Sequence, residues 1–270
     1  MCKTLEVSRG NYYKWLSEPV SEREKSNIEL TEKIRKIHEE SKHTYGSPRV
    51  EAELRKQGIN AGHNRVANLM RDNEIKAKMK RKFKNTTDSN HILPVAENIL
   101  NRDFSASRPN EKWVSDITYV WTMAGWLYLC TVIDLYSRKV VGWSMDDNME
   151  SGLIIKALDM ACVSRNPDAG LIFHSDRGSQ YASKEVRDFL KNQKFIQSMS
   201  RKGNCWDNAV AESFFHSLKT EELYFHKFYD KYQAKSCIFE YIELNYNRKR
   251  SHSYLGYLSP HQFELKNLCA

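Results

Sequence analysis

Hydrophobic and polar positions divide the chain into two regions of different type. Aromatic and β-branched runs predict five strands, over residues 113–121, 126–136, 139–145, 171–174 and 195–199. Apolar residues at helical spacing predict helices over 151–164, 183–192, 208–219 and 231–246. Three consecutive strands followed by strands that alternate with helices are typical of an α/β layered domain.

The N-terminal region is predicted to be helical. One helix begins at Ser47-Pro48 and ends at Gly58, and Asn64 is expected to cap a second. Two helices around a glycine-bearing turn have the outline of a helix-turn-helix. The second helix would expose donors that reach base edges or phosphates, namely Arg65, Asn68 and Arg71. The alternative is an ordinary helical hairpin with a solvated polar face.

A polar stretch interrupted by Pro94 and Pro109 separates these two regions. We therefore predict an N-terminal helical segment (1–44), a helix-turn-helix-like region with a basic tail (45–84), a linker (85–109) and an α/β domain with a C-terminal helical extension (110–270).

Composition and charge point towards a polyanionic partner. The 270 residues are 40% apolar, which is globular, and carry a net charge of +8. The basic excess peaks between Lys76 and Lys84, directly after the predicted helix pair. Its cations include Lys78, Lys80, Arg81 and Lys82. This position favours DNA binding over the alternative of a merely solvated basic run.

The sequence disfavours two classes of protein, those held together by zinc fingers or disulfides and those that span a membrane. The six cysteines show no zinc-finger spacing and no disulfide framework, which indicates reduced thiols. The longest apolar run, residues 126–133, is too short to cross a bilayer, so no membrane association is expected.

Three carboxylates stand out by position. Asp116 shares a strand face with apolar residues, Asp176 directly follows the strand 171–174, and Glu212 lies on a predicted helix. Taken singly, each has another interpretation: a hydrogen-bonded buried acid, a turn residue or a solvated helix position. Together they suit Mg²⁺, which takes oxygen ligands, and two such ions can promote an in-line phosphoryl displacement.

Long strings around these acids resemble the DDE transposases of bacterial insertion sequences, which are related to retroviral integrases. The strings are Trp113-Val-Ser-Asp116-Ile-Thr-Tyr, His174-Ser-Asp176-Arg-Gly-Ser-Gln-Tyr181, Gly203-Asn-Cys-Trp-Asp-Asn-Ala-Val-Ala-Glu212-Ser-Phe-Phe and, near the C-terminus, Tyr246-Asn-Arg-Lys-Arg-Ser-His252. Thirty-five residues separate Asp176 from Glu212, an interval typical of that superfamily, and Lys219 supplies its usual basic residue. The chain is most similar to the group whose catalytic protein is encoded by a second, frameshifted reading frame.

The resemblance implies an RNase H-like core, a five-stranded mixed sheet with flanking helices. Asp116, Asp176 and Glu212 would hold Mg²⁺, with Mn²⁺ as a substitute, and the reaction would be DNA 3′-end cleavage followed by strand transfer. The implied partners are terminal inverted repeats, target DNA, further copies of the chain and an upstream-frame helix-turn-helix and leucine-zipper protein joined by frameshifting. The implied location is the bacterial cytoplasm, at the nucleoid.

Other side chains have two interpretations each. Lys219 is expected to contact substrate phosphate or bases, or is a surface lysine. Trp206 is expected either to insert into distorted DNA or to cover the core. Arg250 is expected either to contact a backbone phosphate or to dock the last helix. His174 and His216, near the acids in sequence, are either catalytic or ordinary core and helix-surface histidines. Asp134 is a competing carboxylate or, the favoured interpretation, a turn cap.

Two other functions remain open at this stage. The chain could be a catalytically inactive DNA-binding regulator of the element, or an RNase H-like nuclease that cuts without joining.

Overall fold

The computed structural model describes residues 2–17, 20–78 and 94–268. The chain divides into two compact units, Met1–Lys78 and Met79–Ala270. Lys80, Arg81 and Lys82 of the predicted basic tail lie outside the described residues. Within the described part, no helix has both the length and the apolar character needed to cross a membrane.

The first unit is helical, with α1 (Arg9–Ser17), α2 (Glu22–Glu40), α3 (Ser47–Lys56) and α4 (His63–Asp72). The predicted helix pair is confirmed as α3 and α4. The cap of α4 is Gly62 in extended conformation, so the prediction of Asn64 was wrong: the helix is already under way at His63. One core joins α2, α3 and α4, through residues that include Ile34, Leu54 and Val66.

The second unit contains the five-stranded mixed sheet that was predicted, in the order β3-β2-β1-β4-β5. The strands are β1 (Lys112–Thr122), β2 (Gly125–Asp134), β3 (Val140–Asp146), β4 (Ile172–Ser175) and β5 (Ile196–Met199). β1, β2 and β3 are antiparallel neighbours, whereas β4 pairs parallel with both β1 and β5. Asp134 ends β2 because its carboxylate accepts hydrogen bonds from Tyr136 N and Asn110 N, which confirms its role in the turn.

Helices cover both faces of the sheet. The helices of this unit are α5 (Ser151–Arg165), α6 (Lys184–Asn192), α7 (Ala209–Glu221), α8 (Lys231–Phe239) and α9 (Pro260–Leu268). α5 and α6 pack in the core that contains Trp113, while α7 and α8 pack in the core that contains Val114. Because alternate β1 residues point to opposite faces, Asp116 lies on the α7 face.

The long helix predicted over 231–246 is α-helical only as far as Phe239. Residues Glu240–Tyr246 form a π-helical segment instead. The wider turn brings Tyr241 and Tyr246, five residues apart, onto one side, where both rings pack against Phe214.

The second half of the predicted linker packs against the α/β unit. Leu100 is buried, and the backbone N–H groups of Ile99 and Leu100 donate to Ser198 Oγ at 2.9 and 3.1 Å. The segment lacks helical or strand periodicity, and side chains together with turn hydrogen bonds, rather than a β-ladder, satisfy its backbone.

Candidate active site

The register of two strands places Asp116 beside Asp176. β1 and β4 run parallel, and the last matched pair is Ser115 with Ser175. The next residue along each strand is an aspartate. Since neighbouring strands lie about 4.8 Å apart, the two carboxylates leave the sheet side by side.

Helix α7 brings Glu212 to the same edge. Asn208, at the start of α7, donates from Nδ2 to Ser115 O at 3.0 Å, which anchors this helix end directly beside Asp116. Glu212 follows one helical turn later on the same side. Burial and the negative charge of Asp176 raise the pKa of Glu212, because the two carboxylates repel each other.

Backbone groups orient both aspartates. Asp116 Oδ1 accepts from Ile117 N at 2.8 Å, and Asp176 Oδ1 accepts from Gly178 N at 2.9 Å. A Cβ at Gly178 would stand only 3.0 Å from Asp176 Oδ1. The absence of a side chain at 178 therefore leaves room for this carboxylate.

The acids repel one another. Burial, the charge of Asp176 and then that of Glu212 raise the pKa of Asp116 well above its ordinary value. All three side chains are half-buried and offer only oxygen, the donor set that hard divalent cations prefer. Their donor atoms do not all lie within 4.8 Å of one another, so the carboxylates must move closer for all three to share one cation.

Lys219 lies where the resemblance placed it, on α7 two turns after Glu212. Its ammonium stands 5.5 Å from the centre of the Tyr119 ring. Burial lowers the pKa of Lys219, and the nearby charge of Asp116 opposes that shift. The lysine borders a groove of about 460 Å³ whose walls include Tyr119, Trp121 and Tyr224.

The predicted DNA-contacting residues of the first unit differ in exposure. Asn68 and Arg71 are exposed, as expected of a recognition face. Arg65 is exposed too, but it donates to Asn27 Oδ1 and Ser26 Oγ, both at 2.9 Å, and so links α4 to α2. Lys78 is half-buried at the end of this unit.

Trp206 and Arg250, each given two interpretations from the sequence, differ sharply in exposure. Trp206 is 69% exposed in the 3-10 turn before α7, so it does not cover the core. Arg250 is only 5% exposed and forms a two-point ion pair with Glu221, at 2.6 and 2.7 Å. The guanidinium ties the chain after the π-helical segment to α7, which favours the structural interpretation of Arg250 over the DNA contact.

The two histidines are not equivalent. His174 is fully buried between Ser198 and Ser200, at 2.8 and 3.2 Å, and burial lowers its pKa to about 4. It is therefore a neutral core residue. His216 lies half-buried on α7, one turn after Glu212.

Asp207 has a structural role that no sequence pattern indicated. The carboxylate is fully buried and accepts from Arg102 and Arg201, which hold its pKa well below the usual range. It fixes the loop ahead of Glu212 to the segment around residue 102. Two arginines far apart in sequence gave no local signal of this network.

Fold and site together define a two-part, DNA-processing class of protein: an HTH-like domain followed by an integrase core of the polynucleotidyl transferase type. Residues 25–83 match the HTH-like domain family, and residues 106–205 and 212–268 match the Integrase core domain families. Among solved structures, the simian T-cell lymphotropic virus intasome in complex with PP2A regulatory subunit B56 gamma contains a chain of the same fold (TM-score 0.51, 16% identity, 85% of this chain and 73% of that one).

Curated relatives identify the family. The chain is 46% identical to an uncharacterized 31 kDa protein of insertion element IS600 from Shigella sonnei, over 98% of each chain. It is 44% identical to transposase InsF of insertion sequence IS3A from Escherichia coli, over 99% of this chain and 94% of that one. The chain belongs to the IS3-family transposases of bacterial insertion sequences.

Proposed function

We propose that Asp116, Asp176 and Glu212 are the catalytic acids of a DDE transposase that cleaves DNA 3′ ends and then transfers the strand. The observation that carries this proposal is the parallel register of Ser115 with Ser175, which sets the two aspartates side by side. The hydrogen bond from Asn208 to Ser115 O brings the helix of Glu212 to the same place.

The three carboxylates would hold Mg²⁺, with Mn²⁺ as a substitute. Bound there, the cations would supply charge neutralisation at the scissile phosphate and activation of the attacking oxygen. Support comes from the donor set and from the raised pKa of Asp116, which burial and then repulsion by Asp176 and Glu212 cause. Bound cations would relieve that repulsion.

The chain's own residues position the substrate around these acids. Lys219 presents an ammonium beside Asp116 and is suited to bind a DNA phosphate entering from the groove. Exposed Trp206 stands on the loop ahead of Glu212, where its ring can pack against an unstacked base step.

Recognition and assembly complete the proposal. The HTH-like unit would bind the terminal inverted repeats through the exposed face of α4, together with the basic tail. Joining two element ends to target DNA requires both ends in one complex, so we expect several copies of the chain. We also expect the active form to be a frameshift fusion with the upstream-frame protein, working at the bacterial nucleoid.

Charge-removing variants test the catalytic proposal. Asp116→Asn, Asp176→Asn and Glu212→Gln should each abolish Mg²⁺-dependent nicking and joining of a terminal-repeat duplex, assayed on gels with the upstream-frame protein fused. Each variant should keep or raise the melting temperature, because it removes like-charge repulsion. The matched control is Asp188→Asn, an exposed acid on α6, which should retain activity.

Three outcomes decide between the proposal and its alternatives. Measurable joining by any one of the three variants would contradict the catalytic assignment. Products that are cut but never joined would favour a nuclease, and specific repeat binding without nicking would favour an inactive regulator.

A further inference from the structure

The end of α7 and the middle of α8 bring together a second group of ligand side chains, away from the catalytic acids. Glu222 Oε1 lies 3.0 Å from His226 Nε2 and 3.9 Å from Cys237 Sγ. All three donor atoms lie within 4.8 Å of one another, and among the described residues this is the group of three that meets that distance.

Three successive elements supply these side chains. Glu222 directly follows α7, His226 directly follows the 3-10 turn Leu223–Phe225, and Cys237 lies on α8. Glu222 is only 8% exposed and Cys237 is half-buried, while the His226 ring faces solvent and stacks on Phe228 at 5.6 Å. The group is thus fixed on its core side and accessible from solvent on the histidine side.

The donor chemistry selects the class of cation. One sulfur, one nitrogen and one oxygen donor suit Zn²⁺, whereas Mg²⁺ takes oxygen alone. Zinc bonds of about 2.0–2.3 Å in tetrahedral geometry place neighbouring donor atoms roughly 3.3–3.8 Å apart. The observed separations of 3.0 and 3.9 Å lie close to that range, so modest side-chain adjustment completes the site.

We propose that Glu222, His226 and Cys237 form a binding site for a zinc-class divalent cation, with a fourth position open to water. The ligands are four and eleven positions apart in sequence, outside zinc-finger spacing, which is why the cysteine pattern did not indicate them.

A cation here would stabilise one wall of the groove beside Lys219. His226 lines that groove, and Phe228 O accepts a hydrogen bond from Met123 N at the tip of the β1–β2 hairpin. Binding would join the segment 222–228 to α8 and so restrict the wall. No catalytic acid belongs to this site, so the proposal stands or falls separately from the catalytic one.

Cobalt substitution tests the site directly. The full chain carrying Asp116→Asn, which weakens cation binding at the catalytic acids, is titrated with Co²⁺ and followed by absorption. We expect one equivalent to produce a near-ultraviolet thiolate-to-cobalt band together with visible bands of tetrahedral intensity, and Zn²⁺ to displace them. Zn²⁺ should also raise the melting temperature, because it binds the folded state preferentially.

Ligand variants distinguish this site from the chain's other thiols. Cys237→Ser should abolish the charge-transfer band, and His226→Ala should weaken binding more than about tenfold. The control Cys162→Ser changes another half-buried thiol and should leave the titration unchanged. A thiolate band that persists in Cys237→Ser would overturn the proposal, and so would an equal Zn²⁺ affinity in the parent and both ligand variants. In either case the contact between His226 and Glu222 would be an ordinary hydrogen bond.

Discussion

Buried hydroxyl groups hold His174 in one tautomer on β4, two residues before Asp176. Ser198 Oγ already accepts two backbone N–H bonds, from Ile99 and Leu100, so its proton is directed to His174 Nδ1. Nε2 then carries the ring proton and donates to Ser200 Oγ, which in turn donates to Ser175 O. Protonation of Nδ1 would break this chain, in agreement with the lowered pKa of His174.

At the residue scale, His174 makes stability depend on pH. Its pKa falls from 6.5 to about 4 on folding because burial disfavours the charged ring, so the unfolded chain binds the proton first as pH drops. The contribution of neutral His174 to the free energy of unfolding is complete above pH 6.5 and is lost as pH falls towards 4. Between pH 7.5 and pH 5 the free energy of unfolding decreases by about 2 kcal/mol from this residue alone.

His174→Gln checks this linkage. Urea unfolding is followed by tryptophan fluorescence, which reports mainly the α/β unit because five of the six tryptophans lie there. On acidification from pH 7.5 to pH 5, the free energy of unfolding should fall by about 2 kcal/mol less in the variant than in the parent. His261→Gln, at an exposed histidine, should behave like the parent. Equal acid sensitivity in all three proteins would show that His174 does not titrate in this window.

At the element scale, Gly142 sets the distance between β3 and α5. A Cβ at this position would stand 2.2 Å from Ala157 O and 2.7 Å from Ala161 Cβ, both on α5. Gly142→Ala should therefore displace the helix and reduce the free energy of unfolding by about 1–3 kcal/mol, measured by urea denaturation. Gly152→Ala, where a Cβ meets nothing within 4 Å, is the matched control and should be neutral or slightly stabilising. A Gly142→Ala protein as stable as the control would refute close helix–sheet packing here.

Element types were predictable where a periodic pattern is strong. The alternation in β1 and the apolar stripe of α7 correspond to faces that the structure buries, so both were located within a few residues. The bounds of α2 were not predicted, because its core positions, such as Ile34, stand among many charged residues. The π-helical segment depends on ring packing against Phe214, which no local pattern reveals.

The sequence predicted the three candidate acids and their convergence, but not the strand register and helix contact that bring them together. Asp116 and Asp176 were singled out by position and resemblance, yet their adjacency follows from a pairing between strands sixty residues apart. The ion pair of Arg250 with Glu221 likewise links residues distant in sequence, which is why no local pattern separated its two interpretations.

At the scale of the whole molecule, the net charge of +8 should make DNA binding steeply dependent on salt. Each neutralised phosphate contributes about −0.9 to the slope of log affinity against log salt concentration. Replacing Lys78, Lys80, Arg81 and Lys82 together by glutamine should flatten the slope by about 0.9 for every phosphate that the variant no longer neutralises. Fluorescence anisotropy on a terminal-repeat duplex, at a series of salt concentrations, measures this slope.

The control for this measurement removes Lys184 and Lys191 of α6, which lies on the sheet face opposite Asp116. That variant should keep the parent slope. A quadruple variant with an unchanged slope would remove the basic tail from the DNA interface.

Three carboxylates that share divalent cations are the central feature of the proposed mechanism. The most direct measurement is the anomalous scattering of Mn²⁺ in crystals of the chain bound to a terminal-repeat DNA end. We predict manganese coordinated by Asp116, Asp176 and Glu212 together, next to the scissile phosphate. Manganese absent from these three carboxylates, or no cation that joins Glu212 to the two aspartates, would contradict this mechanism.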